Sequence, residues 1–145
     1  MRYLINEFWD SITLLGTPVF YIFIVLILSQ LNLSLNPIII FAEFLFLEIL
    51  CFLLKIIIPK KRPDNSLKKT IANTYEERSF PSIHTARVSF LMFILFTLMP
   101  KFVFFFICII ILVGYSRIYF RKHDFTDITG GIFLGVFFGI IWKVI

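Results

Sequence analysis

The chain contains two histidines, His84 and His123, and both stand among residues suited to one kind of chemistry. Lys55 is followed, after six intervening residues, by Arg62-Pro63. Ser82 precedes His84 in the run Pro81-Ser82-Ile83-His84. Ser116-Arg117 is followed after five residues by His123, and Asp127 stands four beyond it. Breaking a phosphate ester requires a cradle for the anion, a nucleophile and an acid for the leaving group. Lys55, Arg62 and Arg117 supply positive charge for the phosphoryl oxygens. Ser82 and the first N–H groups of a helix beginning there add neutral donors, helped by the helix dipole. If the stretch from His123 to Asp127 is helical, the four-residue spacing puts both side chains on one face. Asp127 then accepts a hydrogen bond from one imidazole nitrogen, which fixes the tautomer and leaves the other nitrogen free.

Composition says what kind of scaffold must hold these residues. Of 145 residues, 59% are hydrophobic and 16% charged, and twenty are Phe. An ordinary soluble domain has about 45–50% apolar and about 25% charged residues. So few charges cannot cover so much apolar surface in water, and a disordered chain is apolar-poor. An integral membrane protein remains, a single domain over residues 1–145. A membrane helix takes about 20 largely apolar residues. Five segments fit, at 18–33, 37–58, 83–99, 102–119 and 128–145. Residues 1–15 differ: wound as a helix, Met1, Leu4, Ile5, Phe8, Trp9, Ile12 and Leu15 fall on one arc opposite Arg2, Asn6, Glu7, Asp10 and Thr13. This predicts an amphipathic helix in the interface, stopped at Gly16-Thr17-Pro18. It lacks the basic n-region and the small-residue cleavage site of a signal peptide. The expected fold class is therefore all-α, an integral membrane helical bundle of five transmembrane helices plus an N-terminal interfacial amphipathic helix. Cys51 and Cys108 lie in apolar runs without metal-ligand spacing and read as buried thiols.

Counting spans puts the two polar stretches, 59–82 and 117–127, on one side of the membrane with the N-terminal helix. Most basic residues fall there, while Lys101 and Lys143 fall on the other side. By the positive-inside rule alone this face is cytoplasmic. In a membrane protein the net charge of +5 points to lipid headgroups or an anionic substrate rather than to nucleic acid. Lys60, Lys61, Lys68 and Lys69 read as snorkelling interface anchors. Arg87, three residues after His84, shares that helix face and is a candidate supporting residue, as is Arg78. Glu43 and Glu48 lie in an apolar span, where a charge must face the bundle interior or be protonated. Glu48, seven residues before Lys55, is a candidate for the floor of the site. Gly131, Gly135 and Gly139 form a small-xxx-small row. Close packing inside the monomer is the expectation, with a homodimer seam the alternative.

The three motifs K-x6-RP at 55–63, PSIH at 81–84 and SR-x5-H-x3-D at 116–127 resemble those of the phosphatidic acid phosphatase type 2 superfamily of membrane lipid phosphatases. Ile83 stands where the family has Gly, and an interfacial helix replaces the first of the six spans of larger members. The resemblance implies hydrolysis of a lipid phosphate, with His123 attacking phosphorus to form a phosphohistidine. It also implies that His84 protonates the leaving oxygen and then activates water. No metal and no cofactor are implied, because positive side chains do the work that Mg²⁺ does elsewhere. Candidate substrates are a polyprenyl mono- or diphosphate, phosphatidic acid and phosphatidylglycerol phosphate. The small size is similar to that of compact undecaprenyl-diphosphate phosphatases. The resemblance also places the site of this multi-pass cell-membrane protein on the extracytoplasmic face, against the charge bias. Alternatives are a lipid phosphotransferase of the same superfamily, a haloperoxidase (whose known examples are soluble) and a non-enzymatic small channel or structural subunit.

Overall fold

A computed structural model describes residues 2–30, 35–63 and 78–144. The expected end of the first span at 31–33, and Lys68 and Lys69 of the 59–82 stretch, lie outside the described residues. The elements are α1 (Arg2–Leu14), α2 (Pro18–Gln30), α3 (Pro37–Ile57), α4 (Ile83–Leu98), a 3₁₀ turn (Pro100–Phe102), α5 (Val103–Tyr119) and α6 (Phe125–Val144). The protein is all-helical, as its composition requires of a chain whose backbone must satisfy its own hydrogen bonds in lipid.

Local chemistry explains the boundaries. Asn36 caps α3, its side chain accepting from the Ile38 N–H at 3.0 Å, and Pro37 takes the first helical position. Thr17 and Pro18 start α2 in the same manner, with Thr17 Oγ1 accepting from the Phe20 N–H at 3.4 Å. Asp124 and Asp127 cap α6 reciprocally. The Asp127 N–H donates to Asp124 Oδ1 at 3.1 Å, and the Asp124 N–H donates to Asp127 Oδ2 at 3.0 Å. Helix α5 ends in a Schellman turn: Lys122 N–H donates to Arg117 O at 3.0 Å and Arg121 N–H to Ile118 O at 2.8 Å. The left-handed residue of that turn is Arg121, with φ 53°.

Helix α4 is the axis of the bundle. It is buried around its circumference by Thr85, Ala86, Val88, Ser89, Phe90, Leu91, Met92 and Ile94, and its most extensive packing is against α6. The glycine row makes that packing possible. A Cβ on Gly131 would lie 2.5 Å from Ser82 O, one on Gly135 2.7 Å from Ser89 Cβ, and one on Gly139 2.6 Å from the Phe93 ring. The row is thus occupied within the chain. This is the close packing within the monomer that the row led us to expect.

Among the described residues, three helices are long and apolar enough to cross a membrane: α3, α5 with its preceding 3₁₀ turn, and α6. Helices α1 and α2, bent by 52° at their junction, are apolar and long enough together to make a fourth if the pair is one broken span rather than a re-entrant loop. Two places bear on the expectation of five separate spans. Helix α4 has 16 residues, about 24 Å of helix, less than the ~30 Å of hydrocarbon. Protein surrounds it, so its ends need not reach both interfaces. Helix α1 does more than lie in the interface. Trp9 packs on Tyr115 and Tyr119 of α5, Tyr119 Oη donates to Asn6 Oδ1 at 2.8 Å, and Thr13 Oγ1 donates to Ser116 Oγ at 3.0 Å. Leu4, Ile5 and Phe8, expected on the same arc as Trp9, are exposed.

Much of the outer surface is apolar. Phe23, Phe46, Phe52, Phe104, Phe105, Phe133 and Phe137 all point outward, the arrangement of a membrane protein. Cys51 is buried, whereas Cys108 is exposed on α5, contrary to the expectation for that thiol.

Candidate active site

One end of the bundle gathers the C-termini of α3 and α5, the N-terminus of α4 and the turn before α6. There a cavity of about 390 Å³ is lined by Glu48, Lys55, Arg62, Ile83, His84, Arg87, Arg117 and His123. Residues from the three separate motifs thus meet around one space, at helix ends or in the segments that follow them.

Lys55 closes the inward stripe Ile40, Phe44, Leu47, Cys51 of α3 and is 1% exposed. Its Nζ donates to Arg78 O at 3.0 Å, and Arg78 Nη1 donates back to Lys55 O at 2.7 Å and also to Ile56 O. Arg78 therefore ties the chain before α4 to the last turn of α3 from outside the cavity. Lys61 and Arg78 pair as an isolated bridge at the same place. Arg117 sits in the last turn of α5, and the Schellman turn brings the chain from it back to His123, whose N–H donates to Arg117 O at 3.3 Å. The buried Arg117 Nε and His84 Nδ1 have no hydrogen-bond partner among the described residues. Leaving such groups unpaired is costly in a finished fold, but a bound anion or substrate would complete their bonds.

His123 is 2% and Asp127 0% exposed. His123 Nδ1 lies 3.5 Å from Asp127 Oδ2, close enough for the carboxylate to act on the ring by charge but without a formed hydrogen bond in this structure. Burial, reinforced by the charges of Arg117, Lys55 and Arg62, pushes the His123 pKa down to about 4 against the opposing pull of Asp127. At neutral pH the ring is therefore uncharged, with a nitrogen lone pair available.

The expected supporting residues take different places. Arg87 and Glu48 both line the cavity and pair bidentately, Nε to Oε1 at 2.5 Å and Nη2 to Oε2 at 2.7 Å. Arg87 Nη1 also reaches Gly16 O at 3.4 Å, so α3, α4 and the α1–α2 corner meet at one ion pair. Gly16 has to be small, because a Cβ there would lie 2.8 Å from His84 Cβ. Ser82 is buried, and its hydroxyl shares a hydrogen bond of 2.9 Å with Thr85 Oγ1. Its side chain does not line the cavity, and its N–H donates to Asp127 O at 3.0 Å, so its direct bonds are to the scaffold.

Sequence reading missed Lys60, which it assigned to the interface. Lys60 Nζ lies 2.8 Å from Asp127 Oδ1 and 2.6 Å from Asp124 Oδ2, and it also donates to Thr126 Oγ1. Its partial burial disfavours the ammonium, but the bonds to Asp124 and Asp127 outweigh this and hold its pKa above the ordinary lysine value. The available signal was the spacing of Asp124 and Asp127, that of a capping box, which marks an anionic helix start in need of a counter-ion.

The sequence profile of the PAP2 superfamily matches residues 33–145. The fold is similar to that in the crystal structure of the first transmembrane PAP2 type phosphatidylglycerolphosphate phosphatase from Bacillus subtilis. The TM-score is 0.78 at 24% identity, over 97% of this chain and 76% of that one. No match was found among curated protein sequences.

Proposed function

The chain belongs to the PAP2 superfamily, and from that membership we propose that it is a membrane lipid phosphatase working through a phosphohistidine. One observation carries the reading: a single cavity holds two histidines and three cations contributed by three separate motifs. Lys55, Arg62 and Arg117 bind the nonbridging oxygens of the phosphate and stabilise the charge they carry in the transition state. The neutral His123 attacks phosphorus through Nε2 as the bond to the leaving oxygen breaks. Asp127 accepts the Nδ1 proton in a hydrogen bond and stabilises the cationic ring. Burial and the Arg117 and Arg87 charges disfavour a charged His84 until phosphate binds, so it takes up its proton with the bound phosphate's negative charge and then gives that proton to the leaving oxygen. It then takes a proton from water as that water attacks phosphorus and the N–P bond breaks, releasing phosphate and restoring His123.

The apolar exterior suits a substrate delivered from the bilayer, and the Bacillus subtilis neighbour makes phosphatidylglycerol phosphate a first substrate to try, beside polyprenyl diphosphates and phosphatidic acid. No metal takes part in this scheme. By resemblance we place the cavity on the extracytoplasmic face, which cysteine labelling at position 61 in sealed vesicles tests. The chemical test is phosphate release from these lipids by purified protein in detergent with EDTA present. Activity should survive EDTA, vanish in His123→Ala, and fall by about 10³–10⁴ in Asp127→Asn, the loss that follows when a histidine loses its tautomer partner. Full activity in His123→Ala would overturn the assignment of the nucleophile. Headgroup transfer to an added alcohol without phosphate release would make the protein a phosphotransferase.

A further inference from the structure

Lys60 does not line the cavity, yet its ammonium bonds three side chains at the start of α6. We propose that Lys60 is a positioning residue for phosphoryl transfer, holding the Asp127 carboxylate in the orientation from which Asp127 steadies His123. Its kinetic consequence rests on the phosphatase reading above, whereas its effect on His123 rests on geometry alone.

The argument starts from the two oxygens of Asp127. Lys60 takes Oδ1 at 2.8 Å. That leaves Oδ2 for the Asp124 N–H at 3.0 Å and for His123 Nδ1 at 3.5 Å. Asp127 is wholly buried, so bulk water does not replace a lost partner. A carboxylate bonded on both oxygens has little freedom to turn about its terminal torsion, which directs Oδ2 at the histidine. Lys60 is itself held from behind: its carbonyl accepts from the Ser79 N–H at 2.9 Å, and its ammonium is anchored on Asp124 at 2.6 Å. The residue thus links the segment after α3 to the start of α6.

Charge gives the link a second effect. The charged or titratable groups around His123 are Lys55 of α3, Arg62 after it, His84 of α4, Arg117 of α5 and Asp127 of α6. Those facing Lys60 are Asp124 and Asp127. Lys60 therefore offsets part of the negative charge that Asp127 presents to His123. Without it, Asp127 favours the imidazolium more strongly while its carboxylate is less well aimed.

The test compares wild type with Lys60→Met and Lys60→Arg by NMR titration of His123 in micelles and by kinetics on a lipid phosphate. Lys60→Met should raise the pH at which His123 titrates by about one unit. It should lower kcat by about tenfold, the order of effect when the partner orienting a histidine is lost. KM should stay within about twofold, because Lys60 does not line the cavity. Lys60→Arg should restore both values. A clamp serving only stability would lower the melting temperature but leave the titration and kcat of folded protein unchanged, and that result overturns the proposal. If Lys60→Met does not fold, Lys60→Gln takes its place. If neither folds while Lys60→Arg does, Lys60 is a structural clamp and the proposal falls. If wild type releases no phosphate from any lipid, the phosphatase reading fails, and the titration still decides the coupling to His123.

Discussion

The mechanism proposed above needs a neutral His123, yet the ring stands beside a carboxylate that favours its charged form. Burial and the neighbouring Lys55, Arg62 and Arg117 win, leaving its pKa at about 4 against an ordinary value of 6.5. The imidazole C2–H of His123 in the substrate-free protein should therefore titrate near pH 4, and a midpoint at or above 6.5 would contradict this balance. The sign for stability follows. Between pH 6.5 and 4 the unfolded chain takes up a proton at this residue that the folded chain refuses. The contribution of His123 to stability is thus intact above pH 6.5 and declines as pH falls toward 4. The spacing of the motifs made the identities of Lys55, Arg62, His84, Arg117, His123 and Asp127 legible in the sequence. The part of Lys60 was not legible, because its partners lie more than 60 residues away and only the folded chain brings them to its ammonium.

At the scale of elements, α4 and α6 approach as closely as backbones allow. A methyl group on Gly135 would run into the Ala86 carbonyl oxygen, with Ser89 Cβ at 2.7 Å and Phe90 N at 2.8 Å. These are backbone and near-backbone atoms that cannot swing aside. Gly135→Ala should cost about 1–3 kcal/mol, read as a lower melting temperature in detergent, together with lost activity because α6 carries Asp127. The Schellman turn at Arg121 makes the opposite case. Its φ of 53° suits glycine better than any side chain. Arg121→Gly should leave stability equal or improved, while Arg121→Val should destabilise because a β-branched residue resists this region. Hydrogen exchange or thermal unfolding separates the two. The four-residue glycine period was visible beforehand, but its partner was not, since a period marks a close-packing face and says nothing of which helix lies on it.

At the scale of the whole molecule, apolar residues have two destinations. Phe90 of α4 is 0% exposed and stacks on Tyr21, which in turn stacks on Phe44. Phe104 of α5 is 79% exposed. Phe90→Ala should lower the melting temperature in detergent clearly, through lost packing contacts, while Phe104→Ala should leave it nearly unchanged. Equal effects would mean that the two phenylalanines are not divided between core and lipid. Composition alone could not make that division, because a phenylalanine facing lipid and one facing the core satisfy the same hydropathy. By itself the sequence determined that the chain is helical and membrane-bound, and that its scarce polar residues carry three motifs resembling those of the PAP2 superfamily. Both follow from local rules: apolar length, capping residues and short-range spacing. Only the tertiary structure decided that α4 is enclosed by protein, that α1 packs on α5, that Glu48 pairs with Arg87 and that Lys60 holds Asp127. Each of these is a contact between segments distant in sequence, and no local pattern encodes which helix ends will meet.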